Sequence, residues 1–337
     1  MNQKTEYLVC TRCITYNHAH FIEETLNGFA MQRIESPVVF TVIDDASPDG
    51  EQDVLREWIS NNLLMDEDSI VCHKVMPYGE LFFARHNKQS NMYFAILLLA
   101  ENHFQSGKSK LKSQYIAEWV NNSKYIALCE GDDYWIDPLK LKKQTDYLEL
   151  HNDCVLCGTN GLVIWDEGIL PPSYFNNVYE SRELTANDII GKWALPTPSL
   201  VYRKELILDW PEWTRAIVSG DQILLLLALY RGSVYCLKDL TCVYRKNNNN
   251  KTSLSNMFKK GLSKQTEQHL RLYKEYDEYT NHVFQPLIGE VINKLEKELA
   301  ERLSRERFYA VYNRSKILAL FKYPCVFVKL AIEKLKS

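Results

Sequence analysis

The sequence predicts an α/β fold with a mostly parallel sheet and a helical C-terminal appendage, and three observations carry that reading. Strand-like and helix-like segments alternate over the first half of the chain. Polar turns rich in Asp and Glu follow several of the strands, and after Ser255 the chain becomes helical and highly charged. A length of 337 residues exceeds what one small core needs. It suits one large α/β domain, residues 1–255, followed by an appendage, residues 256–337.

A strand from Tyr7 to Cys13 leads into the turn Thr15-Tyr16-Asn17-His18, after which Phe21, Ile22, Leu26 and Phe29 recur at helical spacing. A second strand, Val38 to Ile43, ends at Asp44-Asp45-Ala46-Ser47-Pro48-Asp49-Gly50, and Val54, Leu55, Trp58 and Ile59 then mark one face of a helix. A third strand is expected over Ile70 to Val75. A long helix follows, with Met92, Ala95, Ile96 and Leu99 on its apolar face, and the polar, basic stretch Gln105 to Gln114 reads as an inserted loop. Tyr125 to Leu128 supplies a fourth strand. Asp137-Pro138 then offers an N-cap and a favoured first helical residue for a helix running through Leu148.

The composition is that of a globular protein, 46% hydrophobic and 25% charged with a net charge of -3, and gives no bulk charge for a nucleic-acid partner. The longest apolar runs, Phe94 to Ala100 and Ile223 to Tyr230, fall short of the roughly 20 residues that span a bilayer. The opening Met-Asn-Gln-Lys-Thr-Glu lacks the pattern of a signal peptide, so a cytoplasmic location is expected and the nine cysteines should be thiols. Cys10 with Cys13 and Cys154 with Cys157 have Cys-x-x-Cys spacing. Each pair lies in a strand-like segment where residues three apart face opposite sides, which favours core packing over a shared zinc. His18 and His20 read as a solvated turn, Trp193 as packing, and Trp135 either as packing or as a surface for a sugar.

In an open parallel sheet, ligands bind beyond the carboxyl ends of the strands. Three polar clusters converge there: Tyr16-Asn17, Asp44-Asp45 and Glu130-Gly131-Asp132-Asp133. Neither a G-x-x-x-x-G-K-[ST] loop nor a G-x-G-x-x-G fingerprint is present to cradle phosphates. A rim of carboxylates calls instead for a divalent cation, Mn²⁺ or Mg²⁺, which one or two carboxylates can hold while it bridges the phosphates of a nucleotide. Gly131 is expected to let the backbone come close to that ligand.

Ile14-Thr15-Tyr16-Asn17, Asp44-Asp45-Ala46-Ser47-Pro48-Asp49, Glu130-Gly131-Asp132-Asp133-Tyr134-Trp135 and Asp137-Pro138-x-Lys140-Leu141 together resemble the inverting family 2 glycosyltransferases, from about Glu6 to Ser255. The resemblance implies a Rossmann-like, nucleotide-binding sheet of the GT-A type. It also implies transfer of a sugar from a nucleotide diphosphate donor, a UDP-sugar, to a saccharide or lipid-linked saccharide in cell-surface polysaccharide biosynthesis. Carried over residue by residue, Tyr16 would lie against the nucleobase, Asp45 would hydrogen-bond it, and Arg85 would face it. Asp132 would sit near the ribose and Asp133 would ligate the metal. An acceptor hydroxyl needs a positioned base, and the resemblance assigns this to Asp221 in Ser219-Gly220-Asp221-Gln222, with displacement in one step and inversion. A plain helix cap is the alternative role for Asp221.

Tyr244-Arg245-Lys246-Asn247 resembles a Tyr-Arg-x-His segment that folds over the donor phosphates, with Asn247 where the histidine would be. Arg245 or Lys246 would then carry more of the phosphate charge, and Asn247 to Asn250 would form a lid. The Gln-x-x-Arg-Trp motif of processive synthases is missing, which fits a single addition per acceptor. Two other classes fit the rim less well. A sugar-phosphate nucleotidyltransferase generally carries a glycine-rich phosphate loop, absent here, and an inactive nucleotide-sugar-binding or membrane scaffold would not need Asp132, Asp133 and Asp221.

From Arg302 to Ser337 nine basic residues face only Glu306 and Glu333, a local net charge of +7 interleaved with aromatic and aliphatic side chains. This reads as an interfacial helix resting on anionic lipid, peripheral to the inner face of the cytoplasmic membrane. A helix packed on the domain with a solvated basic face is the alternative. Pro324 must interrupt it.

Overall fold

A β-strand buried on both faces reads as a continuous apolar run, and Val38–Asp44 meets that description, with every residue buried. In the computed structural model, which describes residues 6–65, 73–165, 170–246 and 262–336, this strand, β2, pairs in parallel with β1 (Tyr7–Thr15), from Val9 opposite Val38 to Thr15 opposite Asp44. β7 (Ser123–Leu128) lies parallel on the other side of β1, and β6 (Met92–Leu99) parallel on the other side of β2. This four-stranded parallel centre is extended by antiparallel neighbours. β5 (Gly79–His86), which also pairs with β3 (Leu63–Leu64) and β4 (His73–Met76), joins β6. On the far side, β12 (Val201–Arg203) links β7 to β9 (Cys154–Trp165), and β9 runs parallel to β13 (Ser233–Lys246). Three short strands complete the sheet: β8 (Tyr134–Trp135), β10 (Ser173–Tyr174) and β11 (Arg182–Leu184).

Helices α1 (Ile22–Ala30) and α2 (Glu51–Asn62) lay their apolar faces on this sheet, Ile22, Leu26 and Phe29 from the first and Leu55, Trp58 and Ile59 from the second. An aromatic layer forms between them. Phe29 stacks on Phe40 at 5.2 Å, Trp135 meets Phe29 edge-on at 4.8 Å, and Phe94 lies 4.9 Å from both Phe40 and Trp58. Trp135 is fully buried and its Nε1 donates to Pro198 O at 2.8 Å. Its role is packing, and no sugar can stack on it.

Three expectations are corrected. Met92–Leu99 is a strand, not a helix: it is only eight residues long, wedged between β2 and β5, and a short apolar run gives no periodicity that separates the two. The stretch read as an inserted loop contains a helix, α3 (Ser109–Tyr115), followed by α4 (Ala117–Asn121). Trp193 is 44% exposed and is not core packing. Of the expected third strand, Ile70 to Cys72 lie outside the described residues. The eight described cysteines are free and all but Cys325 are buried, with Cys10 and Cys13 in β1 and Cys154 and Cys157 in β9.

Lys140 opens α5 (Lys140–Leu150) and is itself buried, its Nζ donating to Gln144 Oε1 at 2.7 Å and standing 4.5 Å from the Trp135 ring. Burial pulls its pKa down to about 8 from the ordinary 10.5. Between those values the unfolded chain holds a proton that the folded chain has lost, so stability rises with pH across that window. The gain is about 1.4 kcal/mol per pH unit for one group. The urea-unfolding free energy of the wild type should therefore climb relative to Lys140→Met from pH 8 upward, and a flat difference would refute the burial argument.

The described residues divide into two compact units, Met1–Trp210 with Leu224–Asn249, and Pro211–Ile223 with Asn250–Ser337. Between β11 and β13 the chain forms three further helices, α6 (Ala186–Ile189), α7 (Glu205–Leu208) and α8 (Gly220–Arg231). The second unit is built on α9 (Leu262–Tyr279) and α10 (Leu287–Tyr312), which run antiparallel. Ser263 bonds Glu306 at one end, and Lys274 pairs with Glu296 further along. After α10 come α11 (Lys316–Lys322) and α12 (Pro324–Lys336), separated at Tyr323 as the proline requires. No helix among the described residues is long and apolar enough to cross a membrane.

Candidate active site

The register that pairs Thr15 with Asp44, and Asp44 with Leu98, brings the turns after β1 and β2 to one edge. Both turns contain a left-handed residue, Asn17 at φ 64° and Ala46 at φ 59°, a conformation that Asn tolerates better than most. The second turn holds the first. Ser47 Oγ accepts from Asn17 N at 2.9 Å, Asp49 Oδ2 from Ala19 N at 2.9 Å, and Glu51 Oε2 from His18 N at 2.9 Å and from Ser47 Oγ at 2.7 Å. Thr15 Oγ1 donates to Glu51 Oε1. Glu51 is buried, and burial raises its pKa. It is the hub of the rim, and sequence reasoning missed it because a Glu in the first turn of a helix is unremarkable alone.

The acidic turn follows β7. Cys129 N bonds Arg12 O and Gly131 N bonds Ile14 O, so the turn continues alongside β1, and Asp133 N closes it on Glu130 O at 3.1 Å. Thr25 Oγ1 stands 3.0 Å from Gly131 O and 2.6 Å from Asp133 O, anchoring the turn to α1. A Cβ at Gly131 would lie 1.9 Å from Thr15 Oγ1 and 2.4 Å from Thr15 Cβ. The glycine is therefore explained by its fit against β1, not by approach to a ligand. Gly131→Ala should cost about 1–3 kcal/mol, read from the urea-unfolding midpoint, and an unchanged midpoint would deny that contact.

Asp133 is buried, and Arg245 N donates to its Oδ1 at 2.8 Å. Its Oδ2 is buried without any hydrogen-bond partner. Burial first, then repulsion from Asp132 and Glu130, drives the carboxyl well above the usual carboxylate range. An unsatisfied buried carboxylate oxygen costs free energy, and a cation would satisfy it. No group of three or more His, Cys, Asp or Glu side chains capable of holding a metal is found among the described residues. One carboxylate oxygen of this kind would suit Mn²⁺ or Mg²⁺, with Asp133 as the residue that would hold it.

Asp132 is partly exposed at the mouth of the turn, and His18 Nε2 stands 3.6 Å from its Oδ2. His18 Nδ1 is 3.2 Å from Thr15 Oγ1. His18 is thus held in the site, which corrects its reading as a solvated turn. Its local sequence carried no signal of this contact, because Asp132 reaches it only through the pairing of β1 with β7.

Other expected site residues are placed differently. Asp45 is buried, its Oδ1 accepting from His103 N at 2.7 Å and its Oδ2 from Phe104 N at 3.1 Å and from Lys112 Nζ at 2.6 Å. Its carboxylate ties down the segment between β6 and β7. Tyr16 is half-buried beside that segment, with Gln105 Nε2 3.5 Å from its hydroxyl. Arg85 stands at the opposite end of the sheet from the acidic turn. It pairs with Tyr93, which pairs with Val39, and these lie at the amino ends of the parallel strands because β5 runs antiparallel. Arg245 is brought to the acidic turn by β13, which passes β8 with Val243 opposite Tyr134. Its guanidinium lies 4.7 Å from the Phe21 ring and 4.5 Å from the Tyr134 ring, donates to Asp132 O at 2.8 Å, and pairs with Glu24. These contacts position the turn. Lys246 sits over Trp165 at 5.3 Å. Asn247 to Asn250 lie outside the described residues. Asp221 belongs to the second unit, where its Oδ1 accepts from Gln222 N at 2.9 Å in the first turn of α8.

No family model matches the chain. It is 30% identical over 230 residues to uncharacterized proteins of Mycobacterium bovis and Mycobacterium tuberculosis, a stretch that covers 65% of this chain and 57% of theirs. The chain thus spans little more than half the length of the curated relatives it matches. Among solved structures, Staphylococcus aureus TarS residues 1–349 in complex with UDP superposes with a TM-score of 0.51 at 16% identity, covering 93% of this chain and 74% of that one. The same fragment with UDP-GlcNAc gives 0.50 at 16% identity, covering 95% and 90%. The mannosyltransferase PcManGT from Pyrobaculum calidifontis, in complex with GDP-Man and Mn²⁺, gives 0.51 at 12% identity, covering 98% and 87%. The fold is the mixed α/β, GT-A-like fold of these nucleotide-sugar-binding structures.

Proposed function

We propose that this protein is a metal-dependent, inverting glycosyltransferase that moves a sugar from a nucleoside diphosphate donor to an acceptor hydroxyl. The observation that carries the reading is Asp133, a buried carboxylate with one oxygen fixed by a backbone N–H and the other without a partner, at the carboxyl edge of a GT-A-like sheet. Solved structures of this fold bind UDP, UDP-GlcNAc and GDP-Man with Mn²⁺, which supports a nucleotide-sugar donor here, a UDP-sugar first.

Asp133 would hold Mn²⁺ or Mg²⁺, which when bound neutralises charge on the departing diphosphate. Asp132, at the mouth and steadied by His18, would meet the ribose. Tyr16 would line the nucleobase side, since Asp45 is committed to Lys112. Asp221 would take the proton of the acceptor hydroxyl as its oxygen bonds to the anomeric carbon and the bond to the β-phosphate oxygen breaks, which inverts the centre in one step. The acceptor we favour is a saccharide or a lipid-linked saccharide of a cell-surface polysaccharide. The test is a screen of UDP-, GDP- and dTDP-sugars with Mn²⁺, measuring nucleoside diphosphate released with and without sugar acceptors. Release from one donor, enhanced by acceptor and abolished by chelator, is expected. No release from any donor would sink the proposal.

A further inference from the structure

The last two helices are short and leave much of their apolar surface uncovered. Ala319 is buried in α11, but Ile317 is 72% exposed and Phe321 80% exposed, with Leu318 and Leu320 beside them and Val328 and Ile332 exposed on α12. Four exposed apolar side chains within one turn and a half of α11 mark a contact site. Its surroundings are basic. From Asn313 to Lys336 the chain carries Arg314, Lys316, Lys322, Lys329, Lys334 and Lys336 against the single acid Glu333. Arg314 and Lys322 are exposed, and Lys329 pairs with Glu301 at 2.9 Å. Tyr309, also exposed, adds an aromatic ring of the kind that settles at a water–lipid boundary.

We propose that α11 and α12 form a docking surface for an anionic bilayer, with Ile317 and Phe321 entering the acyl boundary and Arg314 and Lys322 meeting the headgroups. The charge selects the occupant. A second copy of this chain would bring the same positive stretch against itself, whereas anionic lipid complements it. The break at Tyr323 and Pro324 divides the apolar surface between two short helices, neither able to span a membrane. Shallow insertion combined with basic contacts is the two-signal pattern of a reversible peripheral anchor. The proposal is independent of the sugar-transfer reading.

The full chain should co-sediment with phosphatidylglycerol vesicles at least tenfold better than with phosphatidylcholine vesicles, and raised ionic strength should weaken that binding. Ile317→Ser with Phe321→Ser should reduce binding at least tenfold without lowering the melting temperature. Arg314→Gln with Lys322→Gln, which leaves the apolar surface intact, should remove most of the preference for phosphatidylglycerol. Wild-type binding by either double variant, or a dimer by light scattering that the serine variant dissociates and that binds no vesicles, would overturn the proposal. Donor hydrolysis in solution should be unchanged in both variants, which separates this result from a failure of the catalytic reading.

Discussion

Asp133→Asn is expected to leave the fold intact, abolish the stabilising effect of Mn²⁺, and lower sugar transfer by about a hundredfold or more, the scale of a metal contribution worth several kcal/mol. The amide keeps an oxygen for Arg245 N, so the turn survives, but it places an NH₂ group where the unpartnered Oδ2 stood. That group cannot ligate a cation. The pH dependence should change as well. Because burial lifts the Asp133 pKa above its ordinary 3.8, the folded protein holds a proton that the unfolded chain has released, and stability falls as pH rises from that value through the folded one. The metal-free wild type should therefore lose melting temperature with rising pH more steeply than Asp133→Asn, and Mn²⁺ should restore only the wild type. Thermal denaturation with and without Mn²⁺ reads both effects. Equal stabilisation of the two proteins by Mn²⁺ would place the metal elsewhere.

Asp221→Asn separates a base from a cap. Asp221 lies in the first turn of α8, where an Asn keeps an oxygen that can still accept from Gln222 N, so the variant should melt close to the wild type. It cannot take a proton from an acceptor. If Asp221 is the base, kcat should fall by about 10²- to 10⁴-fold, with KM for the donor little changed. Steady-state kinetics at saturating acceptor decide the matter. An unchanged kcat would leave Asp221 as a cap and send the search for the base elsewhere.

The parallel centre was legible because β1, β2 and β7 are bounded by turn residues and followed by helical periodicity, in Phe21 to Phe29 and Val54 to Ile59. The edge beyond β2 was not. Met92–Leu99 is apolar on both faces, so it lacks the alternation of a strand, and misreading it displaced the whole region from Gly79 onward. The end of the sheet that Arg85 occupies was equally hidden, since only the antiparallel direction of β5 reveals it. The acidic turn after β7 could be located from sequence because turns after parallel strands share one edge. What its neighbours do could not. Asp45 meets a lysine 67 residues away on α3, Gly131 is dictated by the side chain of Thr15, and His18 faces Asp132, all of them long-range contacts that no local pattern signals.

The pairing of β1 with β7, Tyr7 beside Ser123, also sets when the site comes into being. The strand that supplies Thr15 and the turn with His18 is separated from the strand that delivers Gly131, Asp132 and Asp133 by the first two β–α units and the hairpin of β5 with β6. Closing so long a loop is slow and must precede the contacts that reward it. Arg245, which fastens Asp133, lies further along the chain still. The acidic turn therefore depends on long-range pairing for its native geometry, and if Asp133 holds the proposed cation, Mn²⁺ affinity during refolding would report completion of the sheet rather than its beginning.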